Sequence, residues 1–363
     1  MNSSPFASLV IVNWNGRPYL EDCLKWLLAS DYPDYEVLLV DNCSTDDSVA
    51  FVQSTFPQVK LHRTHRNLGF AAGSNVGIRL SKGELIVLLN PDVMVRPDWL
   101  CNLVEGMFTD ESVGIGGGKA YYPDERTLQH AGGFIQAPLA IGNQYGRGEI
   151  DKGQYDRQRE VDYVMGAAIG IKHSVLDQIG LLDEGYFLYY EETDLCFRAR
   201  RAGYRVLYIP DAVLIHVEGG TSSQGDYAQF SVSHTSRWRF VLKHYDVSQL
   251  FNELPGEYAY LAGNVCRDER RGLSTAYETT LRTLPEILEA RGSDGANAVS
   301  DEDQENIARA LSILRRGVWG MAGWRSRPAG RRTSNEKIIG SRQHAAGFWP
   351  GRKPAPALRS AAS

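Results

Sequence analysis

Short apolar runs alternate with stretches of helical periodicity through the first third of the chain. Ser8 to Trp14 is an apolar, β-branched run, and Pro18 to Ala29 places Leu20, Cys23, Leu24, Leu27 and Leu28 on one helical stripe. Glu36 to Val40 reads as a second strand ending at Asp41. The polar turn Asn42-Cys43-Ser44-Thr45-Asp46 can cap a helix over Asp47 to Thr55. Val59 to His62 and Ala71 to Ser81 give a third strand and helix. Leu85 to Leu89 is a fourth strand, followed by a helix over Pro97 to Phe108 with Pro near its first turn. This alternation predicts an α/β fold: a mostly parallel sheet with helices on both faces.

Beyond the glycine cluster Gly114, Gly116, Gly117 and Gly118 the pattern loosens, and residues 121 to 160 read as loops and short strands. Val161 to Ile171 predicts a strand, Ser174 to Ile179 a short helix, and Glu191 to Ala202 a helix with Gly203 at its C-terminal cap. Val206 to Ile209 and Val213 to His216 read as two further strands, Gly219 to Gly225 as a mobile loop, and Arg237 to Tyr245 as helix. From Asn306 to Trp324, Ile307, Leu311, Leu314, Val318 and Met321 recur at alternating spacings of four and three, an amphipathic helix. Beyond Arg325 few apolar anchors remain, and disorder is expected.

Composition changes this picture in one respect. The 363 residues carry a net charge of −5, which gives no sign of a nucleic-acid surface, yet the charge is unevenly spread. From Arg315 to Ser363 there are eleven Lys or Arg and one acid, Glu336, so this segment carries +10 and the preceding residues −15. A basic tail on an acidic body suggests an anionic partner. Two readings of residues 306–363 stand: an interfacial helix and tail on an anionic membrane, or a helix docked on the body with a solvated end. The five cysteines form no C-x-x-C pair, so neither a zinc site nor a disulfide framework is indicated. No signal core or membrane-length apolar run is present, and a cytoplasmic protein, peripheral on the membrane in the first reading, is expected.

Candidate chemistry collects where strands end. Asn90-Pro91-Asp92 closes the fourth strand, and Pro91 forbids continued pairing there. Asn13-Trp14-Asn15-Gly16, Asp41 and His216 also follow or end strands, and Glu191-Glu192-Thr193-Asp194 opens a helix. Ligands of open α/β sheets sit beyond the carboxyl ends of the strands. Each motif alone has a plain structural reading, as a turn, a cap or a buried histidine. Their joint occurrence at one edge points to a site.

In order and wording these motifs resemble the family 2 glycosyltransferases of the GT-A fold, in their bacterial rhamnosyltransferase-like branch. The matching phrases are Val12-Asn13-Trp14-Asn15-Gly16, Leu39-Val40-Asp41-Asn42, Asn67-Leu68-Gly69-Phe70-Ala71, Leu89-Asn90-Pro91-Asp92, Gly166-Ala167, Phe187 to Leu195, and His216. The resemblance spans about residues 7 to 245. It implies a catalytic domain over 1–245, with a nucleotide-binding half to about 120 and an acceptor half beyond it. A helical extension over 246–324 and the basic tail would follow. It further implies that Asp41 accepts a hydrogen bond from the base of a nucleotide sugar, with Asn13 and Asn67 lining that pocket. Asn90-Pro91-Asp92 stands at the family's Asp-x-Asp metal motif, with Asn in place of the commoner first Asp. Asp92 and His216 would then hold Mg²⁺ or Mn²⁺, and Asn90 would contact metal, sugar or ribose. Glu192 falls at the catalytic base. A helix sets Glu192 and Asp194 about 200° apart, so one of them faces the acceptor. Glu192 is the choice, Asp194 a structural or acceptor-orienting partner, and Glu191 the alternative base. Arg237, Arg239 and Lys243 are expected either at the diphosphate or on a solvated helix face.

The implied reaction moves a sugar, rhamnose from dTDP-rhamnose first among donors, to a glycan or lipid-linked glycan in bacterial surface-polysaccharide synthesis, with inversion. A UDP-hexose or galactofuranose transferase and a catalytically dead nucleotide-sugar scaffold are the rivals. An NAD-dependent enzyme is excluded by the first strand–helix turn, which has Gly16 but no G-x-G-x-x-G.

Overall fold

The computed structural model describes residues 4–137, 139–217, 226–263, 265–293 and 298–320. In chain order the first elements are β1 (Ala7–Asn13), α1 (Arg17–Leu28), β2 (Tyr35–Asp41), α2 (Ser48–Thr55), β3 (Lys60–Arg63) and α3 (Gly69–Leu80). Next come β4 (Leu85–Leu89), β5 (Val93–Val95), α4 (Trp99–Phe108), β6 (Val113–Tyr121), β7 (Leu128–His130), β8 (Gly133–Gln136), β9 (Ile141–Gln144) and β10 (Arg159–Glu160). Then follow β11 (Ala168–Lys172), α5 (His173–Ile179), α6 (Glu191–Arg201) and β12 (Arg205–His216). The chain continues with α7 (Tyr227–His244), α8 (Val247–Ala262), α9 (Arg267–Ser293) and α10 (Asp301–Gly320).

The main sheet runs β10-β12-β6-β11-β4-β1-β2-β3. Its β4-β1-β2-β3 half is parallel, as the alternation predicts. The other half is mixed, because β11 enters antiparallel between β4 and β6. Along the parallel strands, Leu9, Ile11, Val37, Leu39, Leu85 and Val87 face one apolar cluster with α1 and α4. Val10, Leu38, Val40, Ile86 and Leu88 face the other, with α3 and α6. Burial on both faces is why these strands read as unbroken apolar runs.

Three elements differ from expectation. The glycine cluster, to which the pattern assigns no element, is a central strand, β6. A Cβ on Gly116 would meet Met107 Cγ at 2.7 Å, and one on Gly117 would meet Val164 Cβ at 2.6 Å, so neighbouring side chains fill the space. Val161 to Ile171 is not one strand: Val161 to Ala167 crosses as a loop into β11. The two strands expected over 206–216 are one strand, β12, whose register shifts between Ile209 and Val213, around Pro210.

The second apolar cluster continues into the C-terminal helices, through Leu273, Tyr277 and Leu284 to Ile307, Leu311, Leu314 and Val318. The last four are 0–3% exposed. Burial contributes about 1.5–3 kcal/mol for each such side chain, and it is already used inside the protein. The stripe over 307–318 is therefore docked and is not an interfacial face, which overturns the membrane reading for this helix. The Gly219–Gly225 loop, Met321, Trp324 and the basic tail lie outside the described residues. Among the described residues no helix is long and apolar enough to cross a membrane.

Candidate active site

The tips of β1, β2 and β4 meet at one edge. Asn13 Nδ2 donates to Asp41 Oδ1 at 3.2 Å and to Ser44 Oγ at 3.1 Å. Ser44 N donates to Asp41 Oδ2 at 3.1 Å, and the exposed Arg63 lies 3.5 Å from the same oxygen. Asp41 is fully buried, so its carboxylate does not open on the crevice as expected. Asn67 Oδ1 accepts from Asn42 Nδ2 at 3.1 Å and from Gly69 N at 2.9 Å. Asn42 itself is buried and holds Leu68 N and Gly69 O, a shaping role the sequence did not assign to it.

β4 ends at the Asn90-Pro91-Asp92 tip because Asn90 N turns to Ala167 O, at 2.9 Å. A Cβ on Gly16 would lie 3.0 Å from Pro91 Cγ, which places the β1 tip against the same turn. Directly after Asp92, β5 pairs antiparallel with the end of β12, His216 opposite Val93. This brings His216 Nε2 to 3.3 Å from Asp92 Oδ1, both side chains largely buried. His216 Nδ1 pairs with Gln129 Oε1 at 2.8 Å, which holds the ring with Nε2 toward Asp92. Gln129 lies on β7, and only the β6–β7 pairing puts it beside His216. No spacing in the sequence marks it.

Glu192 reaches this tip through Gly166-Ala167. While Ala167 O holds Asn90, a Cβ on Gly166 would lie 3.3 Å from Glu192 Cγ, so the Glu192 side chain rests against the glycine. The loop before α6 is fixed to α3. Phe70 N donates to Phe187 O at 2.7 Å, and Asn75 bonds Leu182 through both its amide groups. Tyr189 and Tyr190 then take φ of +69° and +68°, two consecutive left-handed residues ahead of the helix.

The carboxylates of α6 differ sharply. Burial pushes half-buried Glu192 up to about 7, against the opposing pull of the helix-start N–H groups. Glu191 is buried, its Oε2 has no hydrogen-bond partner among the described residues, and burial with the neighbouring Glu192 charge holds it well above the carboxylate range. Burial alone would raise Asp194 too. The hydrogen bond from His244 Nε2 at 2.8 Å, with Arg198 at 2.8 Å and Lys243 at 2.7 Å, outweighs it and holds Asp194 well below its usual value. Asp194, fully buried, is thus an anchor and not a group that meets an acceptor.

The expected diphosphate cations are also spent elsewhere. Arg237 is buried against Glu257 at 2.7 Å and donates to Leu139 O. Arg239 forks onto Asp183, and Lys243 bridges Asp183 and Asp194 at 2.7 Å each. Neither the diphosphate nor the solvated reading of these three side chains holds. The structure therefore gathers Asn13, Asp41, Asn90, Asp92, His216 and Glu192 at one edge, with Asn67 on its wall. Arg237 and Asp194 are left outside as structural groups.

The strand edge of this GT-A fold thus carries a carboxylate–imidazole pair on one side and a carboxyl poised near neutrality on the other. Residues 8–180, a little under half of the chain, match the family described as glycosyl transferase family 2. It is 29% identical over 241 residues to "Uncharacterized protein y4gI" of Sinorhizobium fredii, 62% of this chain but only 26% of that one. It is 27% identical over 256 residues to the N-acetylglucosaminyl-diphospho-decaprenol L-rhamnosyltransferase of Mycobacterium tuberculosis, 64% of this chain and 83% of that one. Among solved structures, GalNAc-T7 with UDP, GalNAc and Mn²⁺ superposes with a TM-score of 0.56 at 15% identity, over 86% of this chain and 58% of that one. That likeness shows the fold.

Proposed function

We propose that the protein is an inverting glycosyltransferase that moves a sugar from a nucleoside diphosphate to a glycan or lipid-linked glycan during surface-polysaccharide synthesis at the cytoplasmic side. Rhamnose from dTDP-rhamnose is the first donor to test, a choice supported by the motif resemblance and by the name of the mycobacterial relative. The observation that carries the reading is the Gly166-Ala167 bridge, which joins the Asp92 turn to Glu192.

Asp92 and His216 are one hard oxygen and one imidazole nitrogen on a ring held in place by Gln129, a donor pair that suits Mg²⁺ or Mn²⁺ completed by phosphate oxygens. Bound there, the ion would neutralise charge developing on the departing diphosphate. The protein's own part is to position and to take a proton. Glu192, poised to be ionised near neutral pH, accepts the acceptor hydroxyl's proton, typically worth about 10²–10⁴-fold in rate. That hydroxyl then attacks the anomeric carbon opposite the leaving group in one displacement. Asn90 lies at the turn between these two groups and would contact sugar or ribose. The test is a panel of nucleotide sugars, with and without Mn²⁺ or Mg²⁺, read as nucleoside diphosphate release. Metal-dependent turnover lost in Glu192→Gln, with donor affinity retained, is expected. No turnover with any donor would turn the reading toward a non-catalytic scaffold.

A further inference from the structure

The last turn of a helix leaves its carbonyl oxygens without N–H partners of their own. In α7 that turn is closed from outside. Tyr245 N donates to Val241 O at 3.0 Å, and the carbonyls that follow meet Arg291 of α9. Arg291 Nη1 donates to Leu242 O at 2.9 Å and to Lys243 O at 3.4 Å, and also to Tyr245 O. Arg291 is only 4% exposed, and burial, with the Arg201 charge nearby, pulls its pKa below the usual arginine value. A guanidinium keeps its charge in proteins. The carbonyls offset the cost of burying it, and a cation suits the negative end of a helix.

The turn that Arg291 closes carries the two side chains that hold α6. Lys243 reaches Asp183 and Asp194 at 2.7 Å each, and His244 Nε2 reaches Asp194 at 2.8 Å. Arg201 Nη2 meets His244 Nδ1 at 3.3 Å, so this imidazole is held from both sides. Asp194 shares the first turn of α6 with Glu192. A shift of the α7 end therefore carries Lys243 and His244 together, and the turn bearing Asp194 and Glu192 follows. Glu286, earlier on α9, pairs with Arg239 of α7 at 3.1 Å, which helps align the two helices. The nucleotide wall is built elsewhere, from Asn13, Asp41 and Asn67 on β1, β2 and the turn before α3.

Glu192 is the group that reports such a shift. Its titratable neighbours are Glu191 and Cys196 on α6, Tyr190 before it, and Tyr163 from the loop into β11. Burial holds all four above their usual values, so within this set Glu192 is the one that ionises near neutrality.

We infer that Arg291 is a positioning residue for Glu192: from α9 it fixes the end of α7, whose Lys243 and His244 hold Asp194 and with it the first turn of α6. The role given to Glu192 rests on the glycosyltransferase reading above. The test compares turnover between pH 5 and 8 in wild type, Arg291→Ala and Arg291→Lys, as full chains below their melting temperatures. Arg291→Ala should lose about 10–100-fold in kcat, the order expected when a remote change misplaces a reacting group by about 1 Å. Its acid limb should move from about 7 toward the unperturbed 4.5, by about one pH unit, as Glu192 gains solvent. Donor KM should stay within about twofold, because the nucleotide wall is untouched. Arg291→Lys keeps a cation at the carbonyls and should lose about 3-fold, with a smaller limb shift in the same direction. It carries the test where Arg291→Ala does not fold. A lower melting temperature with the wild-type kcat and acid limb overturns the positioning role. Where wild type turns over no donor, the readout is the stability gap between Glu192→Gln and its parent, by urea unfolding at pH 5 and pH 8. A gap that grows less with pH in the Arg291→Lys background keeps the positioning and removes the transferase reading. The same growth in both backgrounds overturns the positioning.

Discussion

Glu192→Gln should abolish catalysis and stabilise the fold, both for the same physical reason. The Glu192 carboxyl goes from about 4.5 in an unfolded chain to about 7 in the native site, chiefly because burial disfavours its charge. Between those values the native state binds a proton that the unfolded state has released. The stability this proton contributes is fully present below about pH 4.5 and is lost as pH rises through about 7. At about 1.36 kcal/mol per pH unit, the difference caps the loss at about 3 kcal/mol. The side chain is half-buried, so solvent screening reduces this to about 1–2 kcal/mol. Gln fills the same space without a charge to desolvate. Urea unfolding of both proteins at pH 5, 6, 7 and 8 should show near-equal stability at pH 5 and a variant about 1–2 kcal/mol more stable at pH 8. Wild-type turnover should rise with pH and level off above about 7, and the variant should lose about 10²–10⁴-fold. A stability gap that does not grow with pH, or a variant less stable at pH 8, would refute the argument.

Asp194→Asn leaves Arg198 buried without its counter-charge and Lys243 with only Asp183, which Arg239 shares, and should cost about 3 kcal/mol at pH 7 by urea unfolding; a loss under about 1 kcal/mol would show that Asp194 is not the anchor. Gln129→Leu removes the partner that orients His216, so calorimetric Mn²⁺ affinity in the presence of nucleoside diphosphate should fall about 10–100-fold with the fold intact. An unchanged affinity would remove His216 from the metal site. Gly118→Ala places a methyl 1.7 Å from Ala212 O, a clash with backbone that cannot swing aside, and soluble yield should collapse. Normal yield and melting temperature would show that the β12 shift at this point is not fixed.

The parallel half of the fold and the strand-tip residues were legible because burial on both faces writes itself as apolar runs, and because a tip must change abruptly to polar residues. β6 was not legible, since its glycines carry no pattern; their meaning is the bulk of Met107, Val164 and Ala212 opposite, which only the fold supplies. Val161 to Ala167 misled for the converse reason: Val164 and Tyr163 are apolar to fill space against Gly117 and Gly133, with no strand formed there. In the site, the residues on strand ends came together as expected. The cations of α7 did not, because a charged residue on a helix looks the same in sequence whether it meets a diphosphate, water or a buried carboxylate. Asp183, Glu257 and Asp194 decide that question, and they come from three different elements.

The first turn of α6 carries three carboxyl groups, and the helix N-terminus should favour the charge on each. Their environments separate them nonetheless. Asp194 has donors from Tyr186, Arg198, Lys243 and His244, and stays ionised. Glu191 is buried and pushed upward, and Glu192 lies between the two extremes. A pair of titratable groups driven apart in this way is how one site keeps an acid and a base distinct. The separation requires that the helix not rotate, since about 100° of rotation would bring Glu191 to the place of Glu192. Two left-handed tyrosines before the helix cost about 1–2 kcal/mol each, so this entry into α6 would not persist unaided. Three contacts oppose that strain: Phe187 O on Phe70, Tyr190 Oη on Ala140 O at 2.9 Å, and the Asp194 cluster on α7. Asp194, read from the sequence as a structural or acceptor-orienting partner, takes the structural part: it helps hold α6, and with it Glu192, at the orientation in which that carboxyl titrates near neutrality.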